Sequence, residues 1–171
     1  MDEFHLQTSR ISLRRFAEVD AEGFYQMNAD KEVLQYTGDQ PFLDEAAALE
    51  FIRNYDHYQQ HGYGRWSVVL KETGQFIGFC GLKYHVDGAY TDLGFRLSRA
   101  YWGRGLATEA ARACIQYAFT ELKLPLLVGR VQQRNQASVR VLEKLGMRRM
   151  KSFDFEGVPG YWYELENELA D

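Results

Sequence analysis

The chain has 171 residues, 46% hydrophobic and 26% charged, a balance that builds a packed core and excludes an intrinsically disordered protein. A formal net charge of −4 argues against nucleic acid as the main ligand, because phosphate backbones ask for a concentrated basic surface. No apolar run approaches the roughly 20 residues that span a bilayer, and "MDEFHLQTSR" does not read as a signal peptide. The expectation is one soluble, cytoplasmic domain over residues 1–171 with no membrane partner. Its mildly acidic surface suits a cationic substrate such as an amine, although many enzymes of neutral substrates are equally acidic.

In chain order, "FHLQTSRISLRRF" alternates apolar and polar residues and predicts a first strand. Residues 18 to 29 have helical spacing, with Asp20 as a candidate cap. "KEVLQYTGDQPFLD" is irregular, with Gly38 and Pro41 as breakers. Asp44 opens a long helical segment that ends before Gly62. Strands at 65 to 71, 75 to 85 and 90 to 98 are joined by connections of a few residues and predict a meander. Cys80 and Cys114 sit in apolar segments with no metal or disulfide pattern and read as buried free thiols. A glycine turn leads into a helix from about 105 to 121, whose apolar face carries Leu106, Ala110, Ala113, Cys114, Tyr117 and Ala118. "LLVGRVQ" predicts a strand, Asn135 caps a helix ending at Gly146, and two last strands fall near 147 to 156 and 160 to 167.

The glycine turn, "YWGRGLATE", is the most informative stretch. It lacks the G-x-x-x-x-G-K-[ST] of a P-loop. It also has Thr108 where a dinucleotide fingerprint needs Gly or Ala, and no parallel βαβ context. What remains is a turn that offers amides to a pyrophosphate at a helix N-terminus, or one used only for packing. Glycine at 103 and 105 lets backbone approach phosphate oxygens, the helix dipole favours their charge, and Arg104 can add a charge-assisted contact.

"FRLSRAYWGRGLATEA" resembles the acetyl-CoA loop of the GNAT superfamily of N-acetyltransferases, with Trp102 where Gln or Arg is usual. "VQQRNQASVRVLEKLGM" and "NADKEVLQYTG" are similar to segments of its branch of Rim-type ribosomal-protein N-terminal acetyltransferases, with Lys31 in place of Pro. The resemblance implies an α+β fold: a strongly twisted, mostly antiparallel sheet of six to seven strands, splayed between strands 4 (90 to 97) and 5 (126 to 132), with about four helices. It implies that acetyl-CoA, the co-substrate, lies in the split, its pyrophosphate on the amides of Trp102, Gly103, Arg104, Gly105, Leu106 and Ala107. It further implies that the Leu97 amide polarises the thioester carbonyl, that Asn135 contacts the cofactor arm, and that Ser138 protonates the leaving thiolate.

Asn135 can equally be a plain N-cap, and Ser138 a serine bonding locally at a helix start. Many members of the superfamily carry a Tyr four positions after Ser138; this chain has Leu142, which passes the role to Ser138 or solvent. Asp92 is the first candidate for general base. It faces away from Leu97 on an unbulged strand, and a bulge of the kind common in this strand of the family would change that parity. Glu109 and the strand-end His85 are weaker candidates. His57 and His61 have metal-binding spacing but no H-E-x-x-H string, so a solvated helix face and no metal are expected. The function expected is acetyl transfer to a primary amine, a protein N-terminus or a small molecule, by direct attack in a ternary complex. The chain would act as a monomer or homodimer. The alternative is a non-catalytic acyl-CoA sensor.

Overall fold

The computed structural model describes residues 5–169. Eight strands form one sheet: β1 (Leu6–Gln7), β2 (Ile11–Arg14), β3 (Arg65–Leu70), β4 (Phe76–His85), β5 (Tyr90–Leu97), β6 (Leu126–Gln132), β7 (Arg148–Phe155) and β8 (Val158–Glu166). Their spatial order is β1-β2-β3-β4-β5-β6-β8-β7. Every neighbouring pair is antiparallel except β5 and β6, which run parallel. The helices are α1 (Ala21–Ala29), α2 (Lys31–Leu34), α3 (Glu45–Arg53), α4 (His57–His61), α5 (Leu106–Thr120) and α6 (Gln136–Lys144). The meander, the strand–turn–helix unit and the two last strands stand where the sequence puts them.

Three expectations change in detail. The first strand is two, because Thr8–Arg10 turn away to meet α5, and this brings the sheet to eight strands rather than six or seven. The long helix breaks between α3 and α4, at Asn54 and Asp56, both poor helix formers. Flanking the break, Tyr55 and Tyr58 use their hydroxyls to accept the amides of Arg65 and Phe16. Asp20 does not bond the first turn of α1. It is buried, takes the Arg14 guanidinium bidentately at 2.7 and 2.8 Å, and accepts the Ser67 hydroxyl.

The sheet has a core on each face. On one, α5 and α6 cover Cys80, Leu82, Leu93, Leu97, Leu127 and Val131. On the other, α1 and α3 bring Phe24, Met27, Ala48 and Ile52 against Phe76 and Phe79. Cys80 and Cys114 are free and buried, with sulfurs 3.7 Å apart where α5 lies on β4. Burial pushes the Cys114 thiol up, so that sulfur is not a ready nucleophile. Among the described residues, no helix is long and apolar enough to cross a membrane.

Candidate active site

β5 and β6 are joined by a single ladder pair, Asp92 with Val128. Beyond it their C-terminal halves separate and leave a split inside the sheet. The register on the other side of β5 fixes what faces that split. Ser98 donates its amide to the Ile77 carbonyl at 2.9 Å, so Leu97, opposite Gly78, is a non-hydrogen-bonded position toward β4. The amides of Leu97 and, two residues earlier, Phe95 therefore point into the split. β5 pairs with β4 without a shift from Tyr90 to Leu97; the bulge lies in β4, at Ile77, in its pairing with β3. Asp92 consequently projects from the sheet face opposite Leu97.

The split leads to the glycine turn. Gly103 and Gly105 have φ of +72° and +75°, the left-handed region that strains any other residue. A Cβ at 103 would meet nothing within 4 Å, so an outside molecule has room to approach the backbone there. Gly105 is the N-cap of α5 and gives it no side-chain cap, leaving the first-turn amides of Leu106 and Ala107 for a ligand. The Trp102 amide is already donated to the Arg99 carbonyl at 3.1 Å, so it drops out of the expected contact set. Its side chain is engaged elsewhere, since the indole Nε1 donates to the Leu97 carbonyl at 2.8 Å and ties the turn to the strand end.

A clamp that sequence reasoning missed holds this turn from the far side. Arg10 donates Nη1 to the Arg104 carbonyl at 2.9 Å and Nε to Glu109 Oε2 at 2.7 Å, and its backbone amide reaches Glu109 Oε1. Thr8 adds its hydroxyl to the same carboxylate at 2.6 Å. Burial alone would raise the Glu109 pKa; these donors outweigh it and lower it. Glu109 is thus a fixed anchor of the turn rather than a base. No sequence signal pairs positions 99 residues apart.

Across the split, Asn135 caps α6 by accepting the Ser138 amide at 3.2 Å. Ser138, half-buried in the first turn of α6, has its hydroxyl outside that bond. Leu142 is buried in the core, beside Gly129.

Asp92 is buried and heavily engaged. Its Oδ1 lies 2.6 Å from Arg65 Nη1, its Oδ2 lies 2.7 Å from His85 Nε2, and Arg130 Nη2 stands 3.8 Å off. Burial would raise its pKa, but the Arg65 charge and the His85 hydrogen bond hold it well below the usual carboxylate range. A carboxylate so stabilised is a poor proton acceptor, which argues against Asp92 as the base itself. His85 is not the exposed strand-end residue expected: its ring is fixed by Asp92 and stacked on Tyr90 at 4.6 Å. His57 and His61 depart from a solvated face as well. Their rings are 4.4 Å apart, and His57 Nε2 accepts the Tyr84 amide at 3.0 Å. Burial, with His61, Arg65 and Lys83 nearby, lowers the His57 pKa to about 4. No group of three or more His, Cys, Asp or Glu placed to hold a metal occurs among the described residues.

Residues 10–148 match the acetyltransferase (GNAT) domain family. The chain belongs to that family. Among GNAT relatives, an uncharacterized N-acetyltransferase p20 of Bacillus licheniformis is 32% identical over 97% of this chain and 91% of its own. A spermidine N(1)-acetyltransferase of Escherichia coli K12 is 27% identical over 80% of this chain and 72% of its own. The crystal structure of a GNAT acetyltransferase from Bacillus anthracis superposes with a TM-score of 0.83 at 26% identity, covering 97% and 99% of the two chains.

In this GNAT fold, a second cleft of about 390 Å³ opens beside the C-terminal end of β6, lined by Leu34–Tyr36, Gly38–Gln40, Gln132, Arg134 and Val158. It joins the 34–40 segment to the sheet face that carries Asp92. The irregular stretch after α2 thus has a wall to build.

Proposed function

We propose that the chain, one N-acetyltransferase domain over residues 1–171, transfers the acetyl group of acetyl-CoA to a primary amine. The observation that carries this reading is the single-pair junction of β5 and β6, whose open amides lead to an uncapped, positive-φ glycine turn. Such a groove fits a thread-like ligand with a pyrophosphate at one end. The amides of Gly103, Arg104, Gly105, Leu106 and Ala107 take the pyrophosphate, with the Arg104 side chain beside them. The arm then runs along the β5 edge as an added strand would, taking the amides of Leu97 and Phe95, with Asn135 on the opposite wall.

The bound co-substrate supplies an activated acyl group as a thioester. Leu97 or the deeper Phe95 amide donates to the thioester oxygen as charge develops there. Asp92 acts through His85: it fixes Nε2 and leaves Nδ1 as the nitrogen that can accept the ammonium proton. Ser138 donates a proton toward the departing thiolate, directly or through one water, and regains one from solvent. The amine attacks the carbonyl carbon, the C–S bond breaks, and no protein nucleophile intervenes, in keeping with the buried thiols. The second cleft, walled by 34–40, receives the rest of the acceptor. Motif resemblance supports the Rim-type branch, and with it a protein N-terminus among the acceptor classes.

Free thiol release from acetyl-CoA, followed over N-terminal peptides, amino acids, polyamines and aminoglycosides with calorimetry of acetyl-CoA binding alongside, tests the reading. Acceptor-dependent release supports it. Tight binding without release with any acceptor favours a sensor, and no binding refutes the assignment of the groove.

A further inference from the structure

Arg130 lies on β6 two residues past the Asp92–Val128 junction, at the first open step of the split. Its neighbour Val131 packs into the core under α5 and α6. Arg130 therefore projects from the opposite face, the one carrying Asp92 and Trp162, its cross-strand partner on β8. The glycine turn leads into α5, which packs on the Leu97 face, whereas this is the opposite face, the one with the second cleft.

Charge on this face does not balance. Two guanidiniums, Arg65 and Arg130, meet one carboxylate, Asp92. Asp92 is taken at 2.6 Å by Arg65 and at 2.7 Å by His85, while Arg130 stays 3.8 Å away. Among the described residues the buried side-chain atoms without a hydrogen-bond partner are Arg130 Nε and Asp92 Oδ1, the latter held by the Arg65 charge. The Arg130 guanidinium is held between the rings of Tyr90 and Phe155, at 5.9 and 5.7 Å. Of the carboxylates on this side, Glu164 accepts the Trp162 indole N–H at 3.0 Å, Asp39 is paired with Arg96 at 2.6 Å, and Glu156 stands against Gly38 at the cleft. Lys151, 4.9 Å over the Trp162 ring, adds a further positive charge. Arg130 is part-buried, its side chain 30% exposed, so an anion can reach the guanidinium while its buried N–H stays unfilled, and guanidinium is the group best matched to a carboxylate.

We propose, resting on the transferase reading above, that among those acceptor classes the one used is a small amine carrying its own carboxylate, an amino acid rather than a protein N-terminus, and that Arg130 binds that carboxylate. The aromatic walls of Tyr90, Phe155 and Trp162 exclude water from the pair and strengthen it. The same excess charge disfavours a polyamine, whose second ammonium would face Arg130. Arg130 here is a specificity residue. It steers the amine toward the split and takes no part in proton transfer.

The test follows thiol release with matched acceptors: free amino acids, their primary amides, the corresponding decarboxylated amines, and spermidine. The expected result is a kcat/KM at least tenfold higher for the acids. Arg130→Gln should then raise KM for the acid tenfold or more while leaving that for the amide and for acetyl-CoA unchanged, with Arg130→Lys partly restoring it. Equal rates on acid, amide and amine overturn the proposal, as does preference for spermidine, or turnover of none of the acids. The wild-type acid-to-amide ratio decides the matter even if Arg130→Gln folds poorly. Calorimetry of acetyl-CoA separates the two failures: loss of that binding sinks the transferase reading, whereas sound binding with the wrong acceptor preference sinks only the carboxylate.

Discussion

The Trp102 indole donates to the Leu97 carbonyl at 2.8 Å, so the residue that opens the glycine turn is fastened to the strand that the acyl arm would follow. Trp102→Phe keeps the ring and removes the bond. Its expected cost is about 1 kcal/mol of stability, the net worth of one hydrogen bond, with a rise in KM for acetyl-CoA of about fivefold from a loosened turn. Denaturant melts and steady-state kinetics measure both; an unchanged KM would mean that the tie is purely structural.

Gly105 sits at φ +75°, and a Cβ there would meet only Arg10 Nη2, at 3.5 Å. Gly105→Val should therefore fold, losing about 1–2 kcal/mol to left-handed strain, while its side chain occupies the pyrophosphate seat. Acetyl-CoA affinity should fall at least about tenfold, or roughly 1.4 kcal/mol. Equal affinity in a folded variant would sink the placement of the pyrophosphate.

Arg10 reaches the turn and Glu109 together. Arg10→Ala frees the Arg104 carbonyl and strips Glu109 of its guanidinium partner, leaving it the Thr8 and Ser9 hydroxyls and the backbone amide of residue 10. Raised KM for acetyl-CoA with little change in kcat is the expected signature, because the clamp shapes binding and touches no reacting atom. A selective loss of kcat would place Arg10 in the chemistry instead.

Asp92→Asn should be among the most destabilising single changes, at about 3–5 kcal/mol, because it leaves Arg65 largely buried without its counter-charge. The pH dependence has a definite sign. The folded Asp92 pKa lies below its unfolded value, so its contribution is present above the unfolded pKa and lost as pH falls through the folded one. The variant should lack that part of the acid-unfolding slope. An unaltered slope would detach Asp92 from acid stability.

His57 titrates with the same sense but in another window. Its folded pKa, about 4, lies below the ordinary histidine value of 6.5, so the unfolded chain binds the extra proton between them. Stability should fall as pH drops from 6.5 toward 4. After discounting for its solvent exposure, the effect is about 1 kcal/mol. His57→Gln should flatten Tm against pH across that interval, and a wild-type curve already flat there would refute the assignment.

What was legible in the sequence is what local physics fixes. Gly103 and Gly105 announced a turn because glycine adopts their φ without strain, and Asp44 and Asn135 announced helix starts by capping amides three residues on. The strand before the turn and the helix after it followed from their periods. What escaped is what tertiary pairing creates. Arg10 with Glu109 and Arg65 with Asp92 join distant strands and helices, and an arginine in a strand reads only as a polar face. Parity alone separated Asp92 from Leu97, and the unshifted register of β5 upheld it. The engagement of Asp92, which argues against it as a base, required the fold.

The single pair between Asp92 and Val128 has a consequence for the solution behaviour of the chain. An unpaired strand edge on the outside of a protein is a template for joining another molecule's strand, and proteins blunt such edges with charge or proline. Here the edge carrying Phe95 and Leu97 is recessed between two halves of one sheet. β5 and β6 flank it within the same sheet, so it is not an outer edge of the kind that invites pairing. The Phe95 and Leu97 amides are thereby kept off the outer rim of the sheet, where edge-to-edge pairing begins.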